Sequence, residues 1–155
     1  MLDDFRNRIE KLKGFDFGLE LQTIVEDNED KLPEYVREQL AAGKSGDNQP
    51  STIFGSTNYA RATVSYKEQH GQGLGAVTDY VTNYMTGQFY ETIKYNVEGQ
   101  VFEGESDVPY FSDIKNYSSE SLLEINEEHR RDFGENVTLP AIRESLRTKT
   151  GLEIT

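Results

Sequence analysis

A strictly alternating run constrains this chain more than any other feature. From Lys94 the sequence reads Lys-Tyr-Asn-Val-Glu-Gly-Gln-Val-Phe-Glu, with Tyr95, Val97 and then Val101 at strand spacing. Successive side chains of a strand point to opposite faces, so this pattern predicts two strands with one apolar face each. Glu98-Gly99-Gln100 is the natural turn between them. The second strand is expected over Val101–Glu105, ending before Pro109. A short antiparallel hairpin needs helices to bury its apolar face. The expected fold class is therefore α+β, with helices flanking a small antiparallel sheet.

Helical spacing accounts for most of the remainder. Leu2, Phe5, Ile9 and Leu12 recur at three- and four-residue steps, with acids opening the segment and bases closing it, which suits the helix dipole. Residues 1–18 are read either as a docking arm at an oligomer interface or as a first helix packed on its own domain. A second helix is expected from about Leu19 to Ala42, with Leu21, Ile24, Val25, Leu32, Tyr35, Val36 and Leu40 on its apolar face and Pro33 kinking or dividing it. Residues 57–69 favour a helix, although Thr63-Val64-Ser65 keeps a strand open. Gly71-Gln72-Gly73-Leu74-Gly75 reads as a flexible loop. Tyr80–Tyr84 is strand-like or a bridging turn, and Val108–Phe111 an apolar patch in a loop or edge. Ser118 or Ser119 is expected to cap a short helix through Ile125. A longer helix from about Asn126 to Thr150 carries Phe133, Val137, Ile142 and Leu146, with Pro140 kinking it or starting a new helix.

Composition narrows the function classes. The chain has 155 residues, one domain's worth, of which 35% are hydrophobic. That fraction is low for a self-contained globule, so part of the surface is expected to be buried only by neighbours. Eight Phe and nine Tyr argue against disorder. The net charge of -12 repels nucleic-acid backbone and anionic membrane, which disfavours sequence-specific DNA binding. With no cysteine, disulfides, thiolate metal sites and cysteine nucleophiles are excluded. No apolar run is long enough to span a bilayer, and no membrane contact is expected.

No constellation for chemistry emerges. His70 and His129 lack metal-spaced partners and read as surface histidines. Glu26, Asp27, Glu29 and Asp30 lack the alternation and central glycine of a calcium loop, so they read as a solvated helical face. Gly43-Lys44-Ser45 follows a helix and has Glu38 where the phosphate-loop pattern needs glycine, which rules that motif out. No serine sits in a nucleophile elbow. No catalytic, cofactor-binding or metal-binding residue is assigned, and an enzyme is not expected.

One stretch carries a family likeness. Tyr84-Met85-Thr86-Gly87-Gln88-Phe89-Tyr90-Glu91-Thr92-Ile93 resembles the Leu-x-x-Thr-Gly-x-(Leu/Phe)-x-x-(Ser/Thr)-Ile signature of tailed-phage neck proteins, the head–tail connector and tail-completion family. Gln39-Leu40-Ala41-Ala42-Gly43-Lys44-Ser45, Tyr59-Ala60 with Tyr66-Lys67, Pro140, and Thr150-Gly151-Leu152 are similar, in order and spacing, to further elements of such proteins in phages and prophages of Bacteroidetes, crAss-like podoviruses among them. Asn83-Tyr84-Met85 departs from the usual Asp-Leu-x-x before Thr-Gly. The resemblance implies a structural virion protein, a single neck-protein-like domain assembled in the host bacterial cytoplasm. It would stand as a homo-oligomeric ring around the DNA channel, against portal, adaptor or tail proteins, near genomic DNA without adhering to it. It implies no cofactor. Thr86, Gly87, Phe89, Ile93, Tyr95, Val97, Val101 and Phe102 are the candidates for core or subunit contact, and Glu26, Asp27, Glu29 and Asp30 for the channel lining. The alternatives are a minor capsid, decoration or cargo protein, or a soluble acidic regulator.

Overall fold

The computed structural model describes residues 2–99 and 101–152. Gln100 of the expected turn, and the side chains of Leu2 and Phe5 on the expected first stripe, lie outside that description. Helices dominate: α1 (Leu2–Lys13), α2 (Phe17–Glu26), α3 (Lys31–Ala41), α4 (Arg61–His70), the single turn α5 (Gln88–Glu91), α6 (Phe111–Tyr117), α7 (Glu127–Phe133) and α8 (Leu139–Thr150). Strands β1 (Ile93–Glu98) and β2 (Val101–Ser106) pair antiparallel, from Ile93 opposite Ser106 to Glu98 opposite Val101. The fold is α+β, helices together with one two-stranded antiparallel hairpin among the described residues. Residues 1–28 with 131–155 form one compact unit and residues 29–130 another.

The first unit rests on α2 and α8, which pack together. Asp16 caps α2, its carboxylate accepting the Leu19 N–H at 3.1 Å, and this satisfies one of the donors a helix start leaves free. Ile24 and Val25 of α2 and Leu146 of α8 are buried. Glu20 of α2 accepts hydrogen bonds from Ser145 and Lys149 of α8. Between α7 and α8 the helix widens into a π turn over Gly134–Thr138. A proline ring clashes with the carbonyl four residues before it and supplies no N–H. For Pro140 that carbonyl belongs to Asn136, inside the widened turn, so the expected interruption is absorbed there.

In the second unit α3 is the spine. Leu32, Val36 and Leu40, one turn apart, are 2%, 0% and 0% exposed. Arg37 donates its Nε–H to the Tyr90 carbonyl at 2.6 Å. Gln39, itself buried, donates Nε2–H to the Glu124 carbonyl and accepts the Asn126 N–H at 3.1 Å. Asn126 then caps α7 through its side chain, which accepts the His129 N–H at 2.9 Å. On the hairpin, Ile93 and Tyr95 are buried against the unit, and the Tyr95 hydroxyl donates to the Leu123 carbonyl. Gly104 faces Tyr95 across the ladder. A Cβ at Gly104 would lie 2.7 Å from Leu123 Cβ, so any side chain there would push Leu123 away.

Several expectations are corrected. The helix expected over Leu19–Ala42 is two helices, divided at residues 27–30 rather than by Pro33, which lies in the first turn of α3 where its missing N–H costs nothing. The helix expected over residues 57–69 begins at Arg61. The glycine cluster holds a tight 3₁₀ turn over Gly73–Ala76. No helix starts at Ser118 or Ser119; residues 120–123 form a turn, and the helix is α6, which begins at the last residue of the stretch read as loop or edge and ends before Ser118. Ile114, buried, and Tyr117, half-buried, give α6 an inward face whose burial outweighs its short length. Val101 and Phe102 are not core residues, at 65% and 44% exposed. They occupy the hairpin tip, beyond the reach of the anchors at its base.

This burial gradient sets the expected mutational response. Replacing Phe89, 4% exposed, with Ala should cost about 3–5 kcal/mol. Phe102→Ser should cost less than about 1 kcal/mol. Urea denaturation of both variants reads the difference, and equal losses would refute the placement of the core.

Candidate interaction site around the Thr-Gly turn

The Thr86-Gly87 pair stands where an irregular segment turns into α5. Gly87 has φ +91°, a conformation that strains any residue with a side chain. A Cβ there would also lie 2.8 Å from the Tyr84 hydroxyl. Glycine is therefore required twice, by backbone and by neighbour. The turn aims Phe89 and Tyr90 inward. The Phe89 ring stacks on Phe111 with centroids 6.1 Å apart, and Tyr90 meets Tyr84 edge-on at 4.9 Å.

The segment before the turn, residues 81–84, is irregular, with Asn83 at φ +55°, and it pairs with no strand. Val81 and Thr82 are 0% exposed, so their backbone groups cannot turn to water. Two phenols replace the missing ladder. The Tyr59 oxygen accepts the N–H groups of Thr82 at 2.9 Å and Asn83 at 3.1 Å. The Tyr90 hydroxyl donates to the Thr82 carbonyl at 2.5 Å. Lys67, buried on α4, donates its ammonium to the carbonyls of Tyr84 at 2.7 Å and Gly75 at 3.1 Å. The same ammonium stands 4.7 Å from the Tyr59 ring centre, a cation–π distance. Two carbonyls and an aromatic face thus take the place of a carboxylate partner.

Around this turn lies a cavity of about 210 Å³. Its wall includes Thr86, Gly87, Phe89, Tyr59, Tyr84 and Tyr110, and every lining residue is uncharged. A neighbouring cleft of about 290 Å³ is lined by Lys67, His70, Gln72 and Thr86 among others, none of them a carboxylate. Among the described residues, no group of three His, Asp or Glu side chains is placed to hold a metal ion. His70 ends α4, stacked on Tyr66 at 4.7 Å. His129 corrects the surface reading: its side chain is only 18% exposed, stacked on Tyr35 at 4.9 Å, with Nε2 3.6 Å from Glu38.

The candidate residues divide into three places. Thr86, Gly87 and Phe89 line the cavity. Ile93, Tyr95, Val97 and Phe102 share the inner face of the hairpin by the register, and Val101, opposite Glu98, lies on the outer face. The four acids do not share one helix. Glu26 ends α2, Asp27 is its C-cap and Asp30 is the N-cap of α3, while the chain passes between units at 28–29. All four are exposed. Sequence reasoning missed Tyr59, Lys67 and Tyr90 as a network. Their separation along the chain leaves no spacing signal, and a lysine in an amphipathic segment reads as solvent-facing. Comparison with protein-family models, with curated proteins and with solved structures found no match to this chain.

Burial raises the phenol pKa of Tyr90, helped by the neighbouring tyrosines, and burial likewise raises that of Tyr95, beside Glu124. Both folded values lie above the unfolded value of about 10. Their stabilising contribution is therefore complete below pH ~10 and is lost as pH rises beyond it. Burial lowers the pKa of Lys67, so its contribution has the opposite sign and grows as pH approaches ~10.5. Burial raises the Tyr117 phenol too, and alkali acts against all three phenols while it relieves Lys67. Absorbance titration at 295 nm should show a fraction of the nine tyrosines ionising only with unfolding, and Tyr90→Phe should shrink that fraction. Complete, reversible ionisation near pH 10 with the fold intact would refute the network.

Proposed function

We propose that this chain is a structural subunit of a tailed-phage virion, standing with copies of itself in a ring of the head–tail neck. The observation that carries the reading is the hairpin. Each strand pairs on one side only, and no backbone hydrogen bond joins either strand to another part of the described chain. Open strand edges are surfaces that proteins either protect or use. Here the edges lead to a tip with Val101 and Phe102 exposed. Such a hairpin suits edge contact with a neighbouring subunit, and a ring needs different surfaces of one chain to meet head to tail.

The Thr-Gly resemblance supports the neck assignment within this class. Its residues act here as packing and turn positions, with Gly87 and Phe89 seating the segment that leads into β1. A cavity without charged groups and an acidic exterior fit a protein that assembles beside DNA rather than reacting with a substrate.

The reading predicts a closed oligomer in which many copies surround a channel. Native mass spectrometry of the purified chain, with reconstruction of particles from a phage encoding it, tests this directly. A monomer absent from purified particles would refute it in favour of the soluble regulator. Copies spread over the capsid would favour a decoration protein. A second expectation concerns charge. If Glu26, Asp27, Glu29 and Asp30 face the channel, changing all four to Lys should slow genome ejection. Added salt should relieve the defect, since screening acts within about 10 Å at moderate ionic strength. Unchanged ejection from particles carrying the variant would place these acids away from the DNA path.

A further inference from the structure

We infer that helix α1 of one copy docks on the outer face of the β-hairpin of the next copy, an inference that rests on the ring reading and names its contact. The first half of the contact is α1. Ile9 and Leu12 lie on one side of this helix and remain 37% and 38% exposed. At 100° per residue, Arg8 flanks that stripe on one side and Arg6 and Lys13 on the other. Asp3, Asp4 and Glu10 fall farther around. The helix holds four bases against three acids, a net positive segment in a chain of net charge -12. Three of its four bases therefore border the apolar stripe; Arg8 is paired with Asp4 at 3.3 Å and Lys13 with Glu10 at 2.7 Å, exposed pairs weak enough to exchange for the carboxylates of an acidic, partly apolar surface.

The second half is the outer face of the hairpin. By the register, Asn96, Glu98, Val101, Glu103 and Glu105 share it with Lys94. Lys94 is already engaged with Asp107 at 2.6 Å. Val101 is 65% exposed, and Glu98 lies directly opposite it. This face thus presents an apolar residue among carboxylates, the complement of the α1 stripe in both polarity and charge. Because α1 and the hairpin are different surfaces, the contact between copies is head to tail, and repeating it closes a ring or extends a filament.

A charge swap on the full chain tests the contact. Arg6→Glu with Arg8→Glu, and separately Glu98→Lys with Glu103→Lys, should each abolish the high-mass species in sedimentation velocity. Far-UV circular dichroism checks that each variant keeps its fold. Combining all four changes restores opposite charges across the contact and should restore assembly. Unaltered assembly of either folded two-site variant overturns the inference, and so does failure of the combined variant to reassemble. In both outcomes wild-type oligomers leave the ring reading standing. Wild-type chain that stays monomeric at every concentration overturns the ring reading and the inference together. Retention of wild type on duplex DNA, lost with the arginine changes while the oligomer persists, would assign α1 to DNA and overturn the contact.

Discussion

The second unit depends on one helix satisfying demands of opposite kinds along its length. Leu32, Val36 and Leu40 take the apolar face of α3 out of water almost completely, and that burial is the main favourable term available to it. Two long polar side chains interleaved with them, Arg37 and Gln39, then reach backbone groups that no helix or ladder serves. Arg37 holds the carbonyl of Tyr90 ahead of β1, and Gln39 holds both sides of the turn at residues 124–126. An unpaired buried peptide group costs about 1–3 kcal/mol, so irregular chain can cross this region only because α3 supplies partners. The placement of the hairpin and the start of α7 both follow from that supply.

The same logic governs the irregular segment before the Thr-Gly turn. Irregular chain is ordinarily unstable in a core, because its peptide groups lack the partners a helix or sheet supplies. Here the phenols of Tyr59 and Tyr90 take the N–H groups and carbonyl that a neighbouring strand would take. The arrangement explains the richness in tyrosine better than surface contact alone: the ring fills space and the hydroxyl closes a hydrogen bond. Lys67 follows the aliphatic version of this rule, with a buried stem and an ammonium capped by two carbonyls and a ring. Gly87 completes the network by admitting the Tyr84 hydroxyl where a side chain would stand.

What the sequence discloses tracks the range of the interactions. The hairpin was legible to within one residue, since strand alternation and a Gly99 turn are local signals. So were α1 and the disturbance at Pro140. The division of the Leu19–Ala42 segment at residues 27–30 was not, because helical periodicity runs through Ile24, Leu32 and Val36 without a visible break. Two acids at the C-terminus of α2, where the dipole disfavours them, and two at the N-terminus of α3, where it favours them, were the available clue. Helix α6 was hidden for another reason: seven residues carry too little intrinsic preference, and tertiary burial of Ile114 decides the outcome. The tyrosine–lysine network was hidden entirely, since its members meet across 8 to 31 positions and none has a motif.

A two-stranded hairpin is marginal in water, and this one is stabilised unevenly. At its base Ile93 and Ser106 are buried, and one step along, Tyr95 and Gly104 clasp Leu123. Beyond that pair the support ends: Val97 is half-buried, and Phe102 opposite it and Val101 at the turn are exposed. Local stability follows the density of buried contacts, so the ladder should open from the tip while the base stays closed. A hairpin serving only its own core would place its large apolar residues at the anchored end. This one also carries Val101 and Phe102 at the free end, outside the cover the described residues supply. The proposed contact between copies rests on that exposed tip, on the open edges of the sheet and on the low apolar content of the chain.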